Sequence, residues 1–197
     1  MMLSTPLSEE AVRSLRAGDV VFLSGTIVTG RDEMHHRALE AFEKGEGLPI
    51  DLEGKALYHC GPIMAKENDG WKLLAAGPTT SARMDPVEGE FIRLTGVRAI
   101  IGKGGMSAEV GEAMRECGCV YLSATGGAAV SAADGLGKVL GVEWLDLGMP
   151  EAMWCLEARN FGPLVVGMDA QGGSVYEDIK KRVKERLPEV RRRLGLE

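Results

Sequence analysis

Short apolar runs alternate along the chain with longer segments in which apolar residues recur at every third or fourth position. The runs are typical of buried strands, and the longer segments are typical of amphipathic helices. Buried strands are predicted at residues 20–23, 56–60, 99–101, 120–122 and 144–147. Helices are predicted at residues 8–16, 31–44, 86–95 and from 174 onward, with Ser8 and Ser107 as N-caps.

Two hairpins interrupt this alternation. Residues 63–66 and 71–75 flank the turn Asn68-Asp69-Gly70, and residues 153–159 and 164–168 flank Asn160-Phe161-Gly162. A mixture of helices, single strands and hairpins indicates an α/β fold that is not a simple Rossmann sheet. No repeat, low-complexity tract or linker divides the 197 residues, so a single domain spanning residues 1–197 is predicted.

The last helix has the clearest pattern. Ser174 and Glu177 have the spacing of a capping box, and Pro188 is expected to end or kink the helix. An apolar stripe follows one face and contains Val175, Ile179, Val183 and Leu187. The opposite face is rich in Lys and Arg and is interpreted as a solvated face.

Composition narrows the function classes. The net charge of −6 argues against a nucleic-acid partner and against an anionic membrane surface. No apolar run approaches the ~20 residues of a membrane-spanning helix. The first residues lack the basic-then-apolar pattern of a signal peptide, so a cytoplasmic location is predicted.

The four cysteines do not have the spacing of a zinc site. Cys117 and Cys119 flank Gly118 and could suggest a metal. Buried or half-buried thiols are the favoured interpretation for these two and for Cys60 and Cys155, because free cysteine behaves as a small hydrophobic residue.

Candidate chemistry is concentrated in the segment GPTTSARMD, residues 77–85. Thr79, Thr80 and Ser81 supply hydroxyl groups beside Arg83, whose planar guanidinium can hold a carboxylate through two hydrogen bonds. Taken alone, the segment fits a polar surface turn equally well, because Gly, Pro, Ser and Thr all favour turns.

Two further turns carry cations. Arg31 and Asp32 lie where a strand gives way to a helix N-terminus, and free N–H groups there favour an anion. Lys103 lies in a glycine turn that follows the strand at residues 97–101 and matches neither the Walker A nor the GxGxxG pattern. Three such turns together predict a site for a small anion.

The elements TGRD, GPTTSARMD and IGKG, in this order, resemble the β subunit of class I iron–sulfur fumarate hydratase. The same region is the C-terminal domain of single-chain relatives, and the L(+)-tartrate dehydratase β subunit is similar. The resemblance extends from residue 6 to about residue 167. It implies the swivelling β/β/α fold, a three-layer α/β domain.

The resemblance also implies a reaction and a partner. The reaction is the reversible hydration of fumarate to (S)-malate, with L(+)-tartrate or another dicarboxylate as the alternative substrate. A [4Fe–4S] cluster would be ligated by an α subunit and not by this chain, which would therefore be active only with that subunit. A homodimer of this chain is possible, and no metal site is predicted in it. A non-catalytic module that binds anions is the alternative from a different class.

Site roles follow from the same resemblance. Arg31, Arg83 and Lys103 match positions that bind the substrate carboxylates. Thr79 matches the candidate proton abstractor, although its hydroxyl could instead only donate a hydrogen bond. Substrate or turn-stabilising contacts are expected from Thr80 and Ser81.

Two histidines follow the TGRD element, and the sequence leaves open which of them faces the site. His35 and Asp32 are the remaining catalytic candidates, with a histidine orienting Asp32 or the substrate. His36 is the alternative to His35, and a purely structural histidine is the simpler interpretation of either.

Overall fold

The computed structural model describes residues 1–68 and 70–196. The strands are β1 (Met2–Ser4), β2 (Val20–Gly30), β3 (Ala56–His59), β4 (Ile63–Glu67), β5 (Gly70–Ala75), β6 (Ala99–Gly102), β7 (Val120–Ser123), β8 (Leu136–Glu143) and β9 (Met153–Met168). The helices are α1 (Glu9–Ser14), α2 (Asp32–Glu43), α3 (Asp85–Thr95), α4 (Ala108–Cys117), α5 (Ala129–Asp134) and α6 (Val175–Arg193), with 3₁₀ turns at Ser81–Arg83 and Leu145–Leu147.

Five of the strands close into a barrel. Strands β2, β3, β6 and β7 are parallel neighbours in that order. Strand β9 runs antiparallel to both β7 and β2, and its two pairings close the ring. Strand β1 extends the sheet beside β2, and β8 pairs with β9. The result is an α/β three-layer domain, as the sequence resemblance implied.

Both faces of the central parallel strands β3, β6 and β7 are buried, which explains their continuous apolar runs. Alternate side chains of β3 point into two different cores. Ala56 and Tyr58 belong to the core inside the barrel, whereas Leu57 packs with residues of α2, α3 and α4, among them Met34 and Phe91. The second core therefore attaches the helices to one side of the barrel.

The carboxyl ends of the parallel strands lie at a common edge. In the register of the sheet Gly30 is paired with His59, and Gly102 is paired with Ser123. The turns that carry Arg31 and Lys103 follow β2 and β6 at this edge and lead into α2 and α4. This edge therefore brings together turns that are distant in the sequence.

Several local predictions are confirmed. Ser8 and Ser107 cap α1 and α4, since their side chains accept hydrogen bonds from Ala11 N and Val110 N. The hairpin of β4 and β5 is present, while Asp69 of its predicted turn lies outside the described residues. Strand β2 extends beyond the predicted residues 20–23 as far as Gly30.

The second predicted hairpin is wrong. Residues 153–168 form one continuous strand, β9, which does not reverse at Asn160-Phe161-Gly162. Asn160 has a φ of 53° and Gly162 a φ of 153°, so both adopt the backbone that suggested a turn. The partner strand β2 shows register shifts beside them, between Val21 and Gly25, and the sequence signal therefore marks an irregularity within paired strands.

The strand predicted at residues 144–147 is also wrong. Trp144 has a φ of 55°, and Leu145–Leu147 form a 3₁₀ turn. The strand of this region is instead the preceding β8, which is largely exposed and rich in glycine. Its apolar residues are interrupted by Gly137, Lys138 and Gly141, so it lacks the short buried apolar run on which the strand predictions relied.

Helix α6 begins as predicted, because the Ser174 side chain accepts a hydrogen bond from Glu177 N. Pro188 lies inside the helix, which continues to Arg193, so the prediction that Pro188 could end it is wrong. The apolar stripe does not join the core: Ile179, Val183 and Leu187 are 55%, 56% and 43% exposed. Among the described residues, no helix is both long and apolar enough to span a membrane.

Candidate functional site

The polar turns predicted from the sequence meet at the carboxyl edge of the parallel strands. Thr79 N donates a hydrogen bond of 2.6 Å to the carbonyl of His59, at the end of β3. Lys103 N donates to Thr79 O at 3.2 Å, and Ser81 N donates to Lys103 O at 3.0 Å. The hydroxyl-rich turn is therefore joined to the strand edge and to the glycine turn by backbone hydrogen bonds.

Arg83 and Asp32 form a two-point ion pair. Arg83 Nε donates to Asp32 Oδ1 at 3.2 Å, and a terminal guanidinium nitrogen contacts Oδ2. Arg83 is 49% exposed and Asp32 25%. The guanidinium already holds a carboxylate in the planar geometry that a bound carboxylate would use, and the carboxylate is that of Asp32.

Arg31 is held in place from two sides. Its Nε lies 3.3 Å from Glu151 Oε1, without the alignment of a hydrogen bond. A Cβ at Gly61 would lie 2.6 Å from a nitrogen of the same guanidinium, so the arginine side chain packs closely against this glycine. Glu151 also accepts a hydrogen bond from Glu33 N at the start of α2. Sequence reasoning missed Glu151, which is distant in the chain.

Lys103 is the remaining predicted cation. It is half-buried and takes part in no ion pair among the described residues. Thr79 is half-buried and Thr80 is exposed beside it. This part of the edge offers an ammonium group and two threonine side chains to an incoming anion.

Ser81 has a different position. It is fully buried, its Oγ lies 2.9 Å from His59 Nδ1, and the hydroxyl of Tyr121 donates to it at 3.0 Å. A Cβ at Gly102 would collide with this Oγ. The arrangement favours the turn-stabilising role for Ser81 over a direct substrate contact.

His35 is buried and His36 is exposed. The ring of His35 forms a buried cluster with Glu88 and His59, all three with no exposed side-chain surface. His35 Nε2 and His59 Nε2 each lie 3.1 Å from Glu88 Oε2, although neither contact has the alignment of a hydrogen bond. The other ring nitrogen of His35 lies 2.6 Å from the carbonyl of Arg31.

The cluster shifts the titration of its members. Burial opposes ionisation of Glu88, but the adjacent rings of His59 and His35 outweigh it and lower the pKa of Glu88 to about 2. Burial likewise disfavours the charged form of His35 and by itself would lower its pKa. The Glu88 carboxylate outweighs this effect, so the pKa of His35 is raised. The cluster therefore holds opposite charges in a fully buried position.

Sequence reasoning did not single out Glu88 or His59, although a signal existed for each. Glu88 lies on the same face of α3 as Phe91, Ile92 and Thr95, and a charged residue on a core-facing stripe indicates a buried partner. His59 ends a buried strand at the same edge as the predicted turns.

The cysteines do not form a ligand set for a metal cluster. Among residues 1–68 and 70–196, the one group of three or more potential ligands is His35, His59 and Glu88. Burial raises the pKa of Cys60 to about 12, despite the charge of Arg31, and also raises the pKa of Cys119. All four cysteines are free thiols, two buried and two half-buried, as the sequence suggested.

Comparison with known proteins places this chain in a family. A family model described as Fumarase C-terminus matches residues 1–179. The chain belongs to this family. The matched region contains the strand edge and turns described above, and α6 beyond residue 179 lies outside it.

Similar proteins within the family carry related names. A putative L(+)-tartrate dehydratase subunit beta from Methanocaldococcus jannaschii is 50% identical over 93% of this chain and 95% of that protein. The L(+)-tartrate dehydratase subunit beta of Escherichia coli is 40% identical over 94% of this chain and 90% of its own length. A putative class I fumarate hydratase from Geobacillus stearothermophilus is 46% identical, but this chain covers only 35% of it.

Proposed function

We propose that this chain is the β subunit of a two-subunit hydro-lyase that catalyses the reversible hydration of fumarate to (S)-malate. The chain is a β subunit of the tartrate dehydratase and class I fumarate hydratase type. The observation that carries the proposal is the convergence of Arg31, Arg83 and Lys103 with Thr79 at one strand edge. A C4 dicarboxylate has two carboxylates, and these cations match them.

The paired arginines support the binding of carboxylates. Glu151 and Asp32 contact Arg31 and Arg83, so both guanidinium groups have the position and orientation that a carboxylate requires. Each charge-assisted hydrogen bond to a substrate carboxylate would contribute ~1.5–3 kcal/mol. We propose that one substrate carboxylate replaces Asp32 on Arg83 and that Lys103 binds the substrate as well.

We propose that Thr79 abstracts the proton at C3 of the substrate and returns it in the reverse reaction. Its hydroxyl lies in the turn fixed by the His59 carbonyl and by Lys103 N, close to the cations that would favour its ionised form. Asp32 is the second candidate for proton transfer once the substrate has displaced it from Arg83. His35 is buried and contacts the carbonyl of Arg31, so we propose that it supports the site without touching the substrate.

The catalytic groups that this chain does not supply are proposed to come from an α subunit. In this proposal the α subunit holds a [4Fe–4S] cluster, because the cysteines of the described residues do not converge on one point. The β-subunit names of two relatives support the need for a partner. A cytoplasmic location is proposed with it.

L(+)-tartrate is the second candidate substrate. The relatives with 50% and 40% identity both carry tartrate dehydratase names, and each is matched over almost its whole length. Tartrate is also a C4 dicarboxylate, so the same cations would bind it. The two proposals differ only in the molecule that loses a hydroxyl group, which is malate in the first and tartrate in the second.

The test is anaerobic reconstitution of the chain with its α subunit, followed by assays with fumarate, (S)-malate and L(+)-tartrate. The expected result is oxygen-sensitive turnover of fumarate and malate that neither subunit shows alone. Faster turnover of tartrate would select the second candidate. Binding of the dicarboxylates without turnover of any of them would instead support a non-catalytic anion-binding module.

A further inference from the structure

The buried cluster of His35, Glu88 and His59 connects two turns that carry proposed substrate contacts. At one end, His35 Nδ1 contacts the carbonyl of Arg31 at 2.6 Å. At the other end, His59 Nδ1 contacts Ser81 Oγ at 2.9 Å. Glu88 Oε2 lies between the two rings, 3.1 Å from each Nε2. The cluster therefore spans the separation between the Arg31 turn and the hydroxyl-rich turn.

The contacts define where the hydrogens lie. A carbonyl oxygen only accepts, so Nδ1 of His35 carries a hydrogen. Its Nε2 faces a carboxylate, which also only accepts, and a bare lone pair there would be repelled. Both ring nitrogens of His35 are therefore protonated, and the ring is a cation paired with the Glu88 anion.

His59 completes the charge balance as a neutral ring. Its Nε2 faces the Glu88 carboxylate and carries the hydrogen, while its Nδ1 can accept one from the Ser81 hydroxyl, to which Tyr121 donates. A second buried cation beside one anion would leave an uncompensated charge, which is strongly unfavourable. One cation and one anion leave the cluster electrically neutral.

Glu88 and His59 also control the turn that carries Thr79. The carbonyl of His59 accepts the hydrogen bond from Thr79 N, and the side chain of His59 contacts Ser81 two residues later. The hydroxyl-rich turn is thus attached to His59 at two points. Rotation of the His59 ring would release one of them.

We propose that Glu88 and His59 are positioning residues that, through His35 and Ser81, fix the Arg31 turn and the Thr79 turn at the separation needed to bind a dicarboxylate. This inference rests on the proposed function, because it concerns the same site. Other titratable groups near the cluster are Asp32 beside His35, and Asp85, Cys119 and Tyr121 near Glu88.

The kinetic test compares Glu88→Ala with Glu88→Gln in the reconstituted complex. The Gln side-chain NH2, in the place of Glu88 Oε2, can still join the two rings, because its two hydrogens can be donated to Nε2 of a neutral His35 and Nε2 of a neutral His59. Glu88→Ala should raise KM for the dicarboxylate about tenfold with kcat within about threefold, and Glu88→Gln should keep KM within about threefold. A KM for Glu88→Ala within twofold of the wild-type value would overturn the proposal.

Two variants control for loss of stability. Thr95→Ala removes another buried hydrogen-bonding side chain from the same helix, far from the site edge. It should leave KM unchanged even though its melting temperature is similar to that of Glu88→Ala. If Glu88→Ala does not fold, Ser81→Ala cuts the far end of the cluster with a smaller change in volume and should raise KM in the same way. Equal KM values for Ser81→Ala and wild type would contradict the proposal.

A spectroscopic test does not depend on the enzyme activity. Long-range ¹H–¹⁵N spectra of the full chain at pH 7 should show His35 with both ring nitrogens protonated and His59 neutral, with the exposed His36 as internal reference. A neutral His35 would overturn the assignment. So would a divalent metal ion that the wild-type chain binds in a one-to-one ratio and the Glu88→Ala variant does not bind. If the reconstituted complex has no activity, the proposed function fails, while these spectra still decide the protonation of the cluster.

Discussion

At the residue scale, the site is built from ion pairs that already contain carboxylates. Arg83 binds Asp32, Arg31 contacts Glu151, and Lys103 has no such partner among the described residues. In the proposed function, a substrate carboxylate that binds Arg83 replaces Asp32 there. The geometry of Arg83 therefore matters more than its charge alone, because a planar fork can exchange one carboxylate for another without moving the backbone.

The first prediction concerns this geometry. Arg83→Lys should lower kcat/KM of the reconstituted complex ten- to a hundredfold, equivalent to about 1.5–3 kcal/mol, because lysine offers a point charge without the planar pair of donors. Lys103→Arg should lower kcat/KM less than Arg83→Lys does, because the native side chain at this position already acts as a point charge. Steady-state kinetics measures both, and circular dichroism excludes misfolding.

A matched control is available for Arg83. Arg115 is exposed and paired with Glu112 in the last turn of α4, away from the strand edge, and Arg115→Lys should leave kcat/KM unchanged. Near-wild-type kcat/KM in a folded Arg83→Lys variant would remove Arg83 from the site.

The second prediction is a pH dependence of stability that comes from Glu88. Its pKa is about 2 in the folded chain and about 4.3 when unfolded, so the unfolded state binds protons first as the pH falls. The stabilisation is complete above pH 5 and is lost between pH 5 and pH 2, with a magnitude on the order of 3 kcal/mol.

Denaturant unfolding from pH 7 down to pH 2 measures this loss. Glu88→Gln should have a flatter profile between pH 5 and pH 2, whereas Glu90→Gln, at an exposed position of the same helix, should keep the wild-type slope. His35 acts in the opposite direction: its raised pKa stabilises the fold at low pH and the contribution is lost as pH rises through the folded value. A wild-type slope in Glu88→Gln would show that Glu88 is not ionised in the fold.

At the element scale, the predictions from sequence succeeded where a local signal determined the structure. The cap at Ser107 depends on a few neighbouring residues, and so does the β4–β5 hairpin. The β9 prediction failed because Asn160 and Gly162 have turn-like backbone angles inside a strand whose course is set by pairing with β2. The contacts of Glu88 with His35 and His59 depend on packing between distant segments, which no local pattern contains.

The third prediction compares two helix caps of the same chemistry. Ser107→Ala should lower the free energy of unfolding by about 1 kcal/mol, because α4 carries buried residues such as Val110 and its cap supports the folded core. Ser174→Ala should lower the free energy of global unfolding by clearly less, since α6 has no buried residue among its described positions and, beyond the turn that carries Tyr176, can fray independently. Urea titrations of both variants measure this difference. Equal losses would mean that α6 unfolds together with the core.

At the scale of the whole molecule, α6 differs from the rest of the chain. It begins within the region matched by the family model and continues past its end at residue 179. Tyr176 in its first turn is anchored: its hydroxyl donates to Ser123 Oγ at 2.9 Å, and its ring packs against Tyr121. Beyond that turn, apolar side chains such as Val183 are largely exposed.

The last prediction follows from this division of α6. Removal of residues 180–197 should leave the melting temperature within about 2 °C of the full-length value, because none of the side chains described at residues 180–196 is buried. Tyr176→Ala in the full-length chain should instead lower the free energy of unfolding by about 1–3 kcal/mol, since it removes an aromatic ring from the neighbourhood of Gly105 and Gly167 and leaves Ser123 without its donor. Thermal and urea unfolding of the two proteins, each at several concentrations, separate these effects. A truncated chain that melts as early as Tyr176→Ala at every concentration would show that the exposed half of α6 stabilises the fold.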